Sequence, residues 1–250
     1  VIDQGYFLFY GDFNVQQVPF YKLAHEAVRS GNWYWDFGTD LGTNFIGSYS
    51  FYLLGSPFFW LTIPFPTDFV PHLMGPLLIL KFSCASLTAY CYLTRFIKNK
   101  HFALLGGLLY AFSGFSVYNI FFNHFHEAIV FFPLLLLALE HLMVDNRRGF
   151  FLFMVTLCAV ANYFFFAGMV VFLFLYYILR VLSGDWKVTT AKFFQVALES
   201  LLGVGLGAVI LLPSFLMVMQ NSRVSSFPLG WGGILYGRNQ IPAYIFQCFF

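Results

Sequence analysis

Charge is scarce in this sequence. Of 250 residues only 10% are Asp, Glu, Lys or Arg, against about 25% in soluble domains. A folded chain so poor in charge cannot cover itself with water-compatible groups, which excludes a soluble globular domain and makes lipid its main solvent. An excess of one sign is also missing, because a net charge of +2 offers no footprint for nucleic acid. There is no GxxxxGK[ST], and no GxGxxG ahead of a helix, so chemistry driven by ATP or NAD is not expected. The four cysteines have no CxxC or Cys/His spacing. Cys84, Cys91 and Cys158 fall in apolar runs and Cys248 lies near the far end, which excludes a disulfide framework and leaves small packing residues. A starting Met and a signal-peptide pattern are lacking, and the last residues, IPAYIFQCFF, are apolar. Both ends read as cut, and a piece of a longer chain is expected.

What the sequence does have is apolar length: 60% hydrophobic and 22% aromatic residues, with a mean hydropathy of +0.74. A spanning helix needs about 20 mostly apolar residues. Runs of that kind cover 73–94, broken only by Lys81, 102–123 with no charge, 128–144 with Glu140 and His141 near its end, and 196–219 with Glu199 near its start. The uncharged run from Gly149 to Leu179 holds 31 residues and would rise about 46 Å as one helix, too long for one comfortable span. Basic groups arbitrate. Arg95, Lys98 and Lys100, then Arg147 and Arg148, then Arg180, Lys187 and Lys192 make 8 of the 13 Lys/Arg. All face the cytoplasm if the long run crosses twice, as 149–163 and 166–182, turning near Asn162 to Gly168. The reading is an all-α polytopic membrane protein of about six spans in 73–219. Residues 1–72 form an extracytoplasmic loop with amphipathic and interfacial helices. Residues 220–250 are an extracytoplasmic segment and the start of a further apolar one. Glu140 and Glu199, close to cytoplasmic ends, are expected to be solvated at the interface. The glycines of LLGVGLGAVILLP read as close helix packing.

The outer loop gathers acid. It contains Asp3, Asp12, Glu26, Asp36, Asp40 and Asp68 against Lys22 and Arg29 alone. Val15 to Val28 places Val18, Tyr21, His25 and Val28 on one stripe, as in a helix lying along the membrane surface. SGNWYWDFGTDLGTN reads as a structured loop, and Ser48 to Phe65 as an interfacial or partly inserted helix. Asp12 stands just ahead of the surface helix. It suits an N-cap or a general base aimed at an acceptor hydroxyl, since a base needs a carboxylate that no cation has claimed. Gln16 and Gln17 could bind sugar hydroxyls, while Trp33, Tyr34 and Trp35 could stack on sugar rings.

Other polar residues leave several readings open. Lys81, inside its span, could snorkel outward, bind a lipid phosphate or pair with a carboxylate. The cluster His124, His126 and Glu127 suits substrate contact, a solvated turn or a divalent cation. Asn162 and Tyr163 mark the hairpin tip, where polar groups must line protein or water. Arg223 and Arg238 could neutralise phosphate or simply be solvated.

Taken in order, several stretches resemble the YfhO family of bacterial membrane proteins. They are GD with glutamines downstream (Gly11, Asp12, Gln16), SGNWYWDFGTDLGTN, YSFYLLGSPF, LLYAFSGF from Leu108, HEAIVFFPLLLLALEHL, NYFFFAGM and AVILLPSF. Phe164 departs from the second tyrosine expected after Tyr163. The family looks like the GT-C glycosyltransferases, which use polyprenyl-phosphate sugars as donors. The resemblance implies a GT-C-like helical bundle with a large first extracytoplasmic loop, and a further span ahead of Val1. It places the catalytic base on Asp12 and implies sugar transfer, with inversion, to a cell-envelope polymer resembling lipoteichoic acid. Candidate substrate-binding residues are Gln16, Trp33, Trp35, Asp36, Asp40, Asn44, His124, Glu127, Asn162 and Tyr163; candidate phosphate-binding residues are Lys81 and Arg223. Expected partners are membrane lipid, the polyprenyl-phosphate sugar donor and the polymer acceptor, with no nucleic acid. No cofactor is required, and a divalent cation stays open. A lipid or sugar transporter or flippase, and a non-catalytic envelope-assembly protein, are the alternative functions.

Overall fold

Uncharged runs surrounded by lipid must close their backbone hydrogen bonds within themselves, and this chain does so with helix. The computed structural model describes residues 2–3, 6–7, 11–39 and 42–220. Arg223, Arg238, Cys248, Asp40 and the segment 221–250 lie outside them. The chain divides into two units, Val1–Ser214 and Phe215–Phe250; residues 215–220, the part of the second that is described, are helical.

The protein is an all-α polytopic membrane protein. Among the described residues strand is confined to two short antiparallel pairs: β1 (Ile2–Asp3) with β2 (Tyr6–Phe7), and β3 (Trp35–Asp36) with β4 (Thr43–Asn44), Trp35 lying opposite Asn44. A wide π-helical turn over Phe13–Gln17 leads into α1 (Val18–Ser30). The face of α1 that carries Tyr21, Ala24, His25 and Ala27 is buried. His25 fixes its position, with Nδ1 3.0 Å from Thr67 Oγ1 and Nε2 3.1 Å from the Thr62 carbonyl. Then come α2 (Phe45–Tyr49), a second π-helical turn over Ser50–Leu54, and α3 (Pro57–Trp60).

The bundle follows: α4 (Val70–Leu93), α5 (Lys100–Ala111), α6 (Gly114–Tyr118), α7 (His126–Met143), α8 (Phe150–Ala161), α9 (Tyr163–Leu182) and α10 (Thr190–Gln220). The helix α4 packs on α5 and α7, and α7 packs on α8. Pro133 lies inside α7 and has no N–H to give the Ile129 carbonyl four residues earlier. The Tyr110 hydroxyl of α5 donates to that carbonyl instead, at 2.9 Å. An aromatic side chain thus repairs a backbone gap that lipid could not fill.

Among the described residues five stretches are long and apolar enough to cross a membrane: Thr67–Leu93, Lys100–Tyr118, Asn123–Met143, Tyr163–Leu182 and Thr190–Met219. The long run of 149–179 breaks at Asn162, whose backbone is extended and whose side chain caps α9 by accepting from the Phe165 N–H at 3.2 Å. Its first arm, α8, has 12 residues and rises about 18 Å, short of a hydrocarbon core of about 30 Å. The segment 45–55 fills the space above it. Ser50, Leu53, Leu54 and Ser56 are buried, and Gly55 rests on the end of α8. Two carboxylates expected at a solvated interface are buried instead. Glu199 accepts from the backbone N–H groups of Gly149 and Leu152 at 3.2 Å, closing the first turn of α8. The other is Glu140, clasped by Arg180 at 2.9 Å, Arg95 at 3.5 Å, the Tyr176 hydroxyl at 2.5 Å and the Trp186 indole at 3.3 Å. Just outside that clasp, donation from Arg95 and then His141 holds the Asp145 carboxyl down at about 2.

A Cβ added at Gly55 would stand 1.7 Å from the Val160 carbonyl oxygen and 2.3 Å from its carbon, and backbone cannot move aside as a side chain can. Gly55→Ala is therefore expected to cost at least about 2 kcal/mol. Gly168→Ala, where nothing lies within 4 Å, serves as the tolerant control. Thermal unfolding in detergent measures both, and a Gly55→Ala protein melting with the wild type would refute the contact.

Candidate functional site

The turn into α7 organises the polar residues that the bundle encloses. Asn123, His124 and Phe125 form one 3-10 turn, so successive side chains leave it in different directions. The His124 ring points toward the two π-helical turns, Phe13–Gln17 and Ser50–Leu54. Its Nδ1 lies 3.2 Å from Gln17 Oε1, and the Gln17 amide donates to Gln16 Oε1 at 3.2 Å. With the Gln17 nitrogen committed to Gln16, its oxygen faces the imidazole, and Nδ1 carries the proton. Gln16 in turn donates to the Tyr52 hydroxyl at 3.4 Å. The rings of Phe51 and Tyr52 pack on His124 at 4.9 and 5.0 Å, and Tyr163 meets Phe51 at 5.5 Å. Asn162 donates to the His124 carbonyl at 3.2 Å.

Asp12 stands at the open edge of this row. It is exposed, and its side chain makes no cap hydrogen bond to the turn it precedes, which overturns the capping reading. No cation or hydrogen-bond donor claims the side chain among the described residues. Its charge reaches Tyr52: burial first, and then Asp12, pushes that phenol above its ordinary range, while the bond from Gln16 opposes them. Carboxylate, amides, phenol and imidazole thus line one path from surface to interior.

Asn123 and Glu127 face the other way, toward Lys81 of α4. Lys81 is fully buried and uses all three of its donors: Glu127 Oε1 at 2.8 Å, the Asn123 carbonyl at 2.9 Å and Asn123 Oδ1 at 2.9 Å. Ser56 donates to the same Glu127 oxygen at 2.5 Å, and the Phe58 ring centroid lies 5.5 Å from Nζ. Tyr21 abuts this cluster; burial, reinforced by the charge on Glu127, raises its phenol. Lys81 therefore neither snorkels nor presents itself to a phosphate, and Glu127 is a buried ion-pair partner rather than a substrate contact. The one carboxylate and two imidazoles that the divalent-cation reading would need together do not converge. His126 turns to the Ser116 carbonyl at 3.0 Å, and no group of three His, Cys, Asp or Glu able to hold a metal occurs among the described residues.

The remaining described candidates lie apart from the row. Asp36 closes its own turn, accepting from the Gly38 N–H at 3.0 Å and the Thr39 hydroxyl at 2.5 Å. Asn44 caps α2 by accepting from the Gly47 N–H at 2.8 Å. Trp33 stacks on Trp60 at 5.8 Å, Trp35 sits edge-on to Phe37 at 6.4 Å, and Tyr34 is exposed. Asp40 and Arg223 fall outside the described residues. The structure adds Tyr52 to the row, and Tyr21, Ser56 and Asn123 to the ion pair. Tyr52 was hidden in an aromatic run that reads as interfacial, and Ser56 before Pro57 reads as turn chemistry.

Removing one partner of a buried pair strands the other charge, at about 3–5 kcal/mol, whereas replacing both is often near neutral. Lys81→Met alone is expected to destabilise by that amount, and Lys81→Met/Glu127→Leu to recover most of it. Unfolding midpoints of the two variants in detergent decide, and a Lys81→Met protein as stable as the wild type would remove the pair from the fold's support.

Compared with known proteins, residues 2–230 match the family model described as bacterial membrane protein YfhO. No curated protein and no solved structure matches the chain. The family match leaves out only the first residue and the last twenty of the 250, and the chain belongs to the YfhO family of bacterial membrane proteins.

Proposed function

We propose that the protein is a GT-C-type glycosyltransferase that moves a sugar from a polyprenyl phosphate to an extracytoplasmic envelope polymer. The observation that carries this reading is Asp12: an exposed carboxylate with no cation beside it among the described residues, at the head of a row of hydrogen-bonding side chains that runs into the bundle. Asp12 takes the proton of an acceptor hydroxyl while that oxygen attacks the anomeric carbon. The bond from that carbon to the phosphate oxygen breaks, the polyprenyl phosphate departs with the electron pair, and the anomeric centre inverts. Gln16, Tyr52 and His124 offer donors and acceptors for sugar hydroxyls, with Tyr163 beside them. No nucleotide enters, since the donor already holds the activated bond.

The transporter reading leans on charge within the membrane. Here the lysine of that kind is neutralised by Glu127, which favours transfer over transport.

In the full-length gene, Asp12→Asn is expected to lower sugar transfer to the envelope polymer by about 10²–10⁴-fold, the usual range for loss of a general base. Tyr52→Phe should cost less than about tenfold, because it removes one neutral hydrogen-bonding group. Polymer-bound sugar in cells making each variant at equal level measures this, and wild-type glycosylation with Asp12→Asn would sink the mechanism.

A further inference from the structure

The end of the bundle opposite Asp12 holds a cavity and a set of cations that the proposed reaction does not use. Between α7, α8, α9 and α10 lies a cavity of ≈ 600 Å³, a volume typical of ligand sites. Its wall is apolar, with Phe151, Phe174, Phe193 and Gly205 among the lining residues and Tyr177 and Ser200 as its two polar side chains. The Tyr177 hydroxyl has no hydrogen-bond partner among the described residues. The helices framing the cavity, α9 and α10, belong to the two spans least enclosed by protein among the described residues. Their outer surfaces are suited to lipid.

Arg147, Arg148 and Lys187 lie on the turns that lead into α8 and α10, whose first-turn residues Phe151 and Phe193 line this cavity. Lys192 of α10 donates to the Met143 carbonyl, and Glu199 accepts from the Gly149 N–H. The turn that carries Arg147 and Arg148 is thereby laid against the first turns of α10, where Phe193 and Ser200 line the cavity. On the other side Trp186 packs on Tyr177 at 5.6 Å, which brings Lys187, the next residue, to the same level. Arg95 and Arg180 are held by Asp145, Glu140 and Asp185. Arg147, Arg148 and Lys187 are exposed, and their side chains have no partner among the described residues.

We infer that this is a binding site for an anionic phospholipid, with an acyl chain in the cavity and the phosphate among Arg147, Arg148 and Lys187. An apolar groove alone accepts any lipid tail. Uncompensated cations at its mouth select the lipid whose headgroup leaves net negative charge. A protein segment or a second copy of the chain would have to supply carboxylates to answer the same three charges. The site lies at the other end of the bundle from Asp12, so it stands or falls apart from the transferase reading.

The test uses the protein reconstituted in vesicles, with Trp33, Trp35, Trp60 and Trp231 replaced by Phe so that Trp186 alone reports. Its quenching is measured with brominated phosphatidylglycerol and with brominated phosphatidylcholine. The anionic lipid is expected to be preferred by about 10- to 100-fold, given three basic groups at the surface. Arg147→Ala/Arg148→Ala/Lys187→Ala should bring the preference near unity while quenching persists. Gly205→Phe, at a position where an added Cβ meets nothing within 4 Å, should fill the cavity and reduce quenching by both lipids. Equal quenching by the two lipids in the protein with native cations, or quenching unmoved by Gly205→Phe, would overturn the site. Absence of quenching would overturn it too, as expected if protein covers the groove.

Discussion

The half of the molecule that carries Asp12 depends on one buried ion pair. Removing Lys81 and Glu127 from water carries a desolvation penalty of several kcal/mol for each ion, which their attraction offsets only if the remaining hydrogen-bonding capacity is filled. For the lysine it is filled: three donors meet three acceptors within 2.9 Å. Two of those acceptors belong to Asn123, so the pair clamps the turn that begins α7 as well as joining α4 to α7. Ser56 is drawn in from the segment above α8, and Tyr21 from α1. With Asn123 held on one side of the turn, His124 is aimed to the other, where it meets Gln17. The row leading out to Asp12 is a geometric consequence of a charge pair that does not itself reach the surface.

Much of this architecture was legible in the sequence, and the parts that were not share a physical cause. Apolar length marks helices, and the polar Asn162 in a 31-residue uncharged run marks a break. Height along a helix can be read from position, but which way a side chain faces depends on partners far away in the chain. Lys81 left three readings open because its acceptors are 42 and 46 residues downstream. Glu140 and Glu199 sit at the expected heights, yet both turn inward. Glu140 finds Arg180 of α9 and Arg95 in the turn after α4, and Glu199 finds the free N–H groups at the start of α8. The shortness of α8 was equally hidden. A run of apolar residues does not reveal that another segment, narrowed to glycine at Gly55, will lie across its end. Asp36 and Asn44 show the same limit in the loop, where short polar side chains close turns and caps before they are available to a ligand.

The two ends of the bundle are built alike and finished differently. Each has a buried carboxylate in a basic grip, Glu127 with Lys81 and Glu140 with Arg180 and Arg95, and apolar packing lies between them. Beyond the first grip an aspartate is left without a counterion. Beyond the second, Lys98, Lys100, Arg147, Arg148, Lys187 and Lys192 are left without one, among the described residues. That polarity suits a protein whose basic end faces the cytoplasm and whose acidic edge meets polar substrates outside.

Sidedness is therefore the claim on which the functional account turns, and labelling of Val15 tests it most directly. Val15 is 79% exposed and lies three residues from Asp12 without belonging to the row. Val15→Cys, in a protein whose four native cysteines have been replaced, is treated with a membrane-impermeant maleimide on intact cells; Lys98→Cys in the same background marks the basic end. The account expects Val15→Cys to react at once and Lys98→Cys to react only after permeabilisation. The reverse pattern would place Asp12 in the cytoplasm, away from any envelope polymer, and contradict the account.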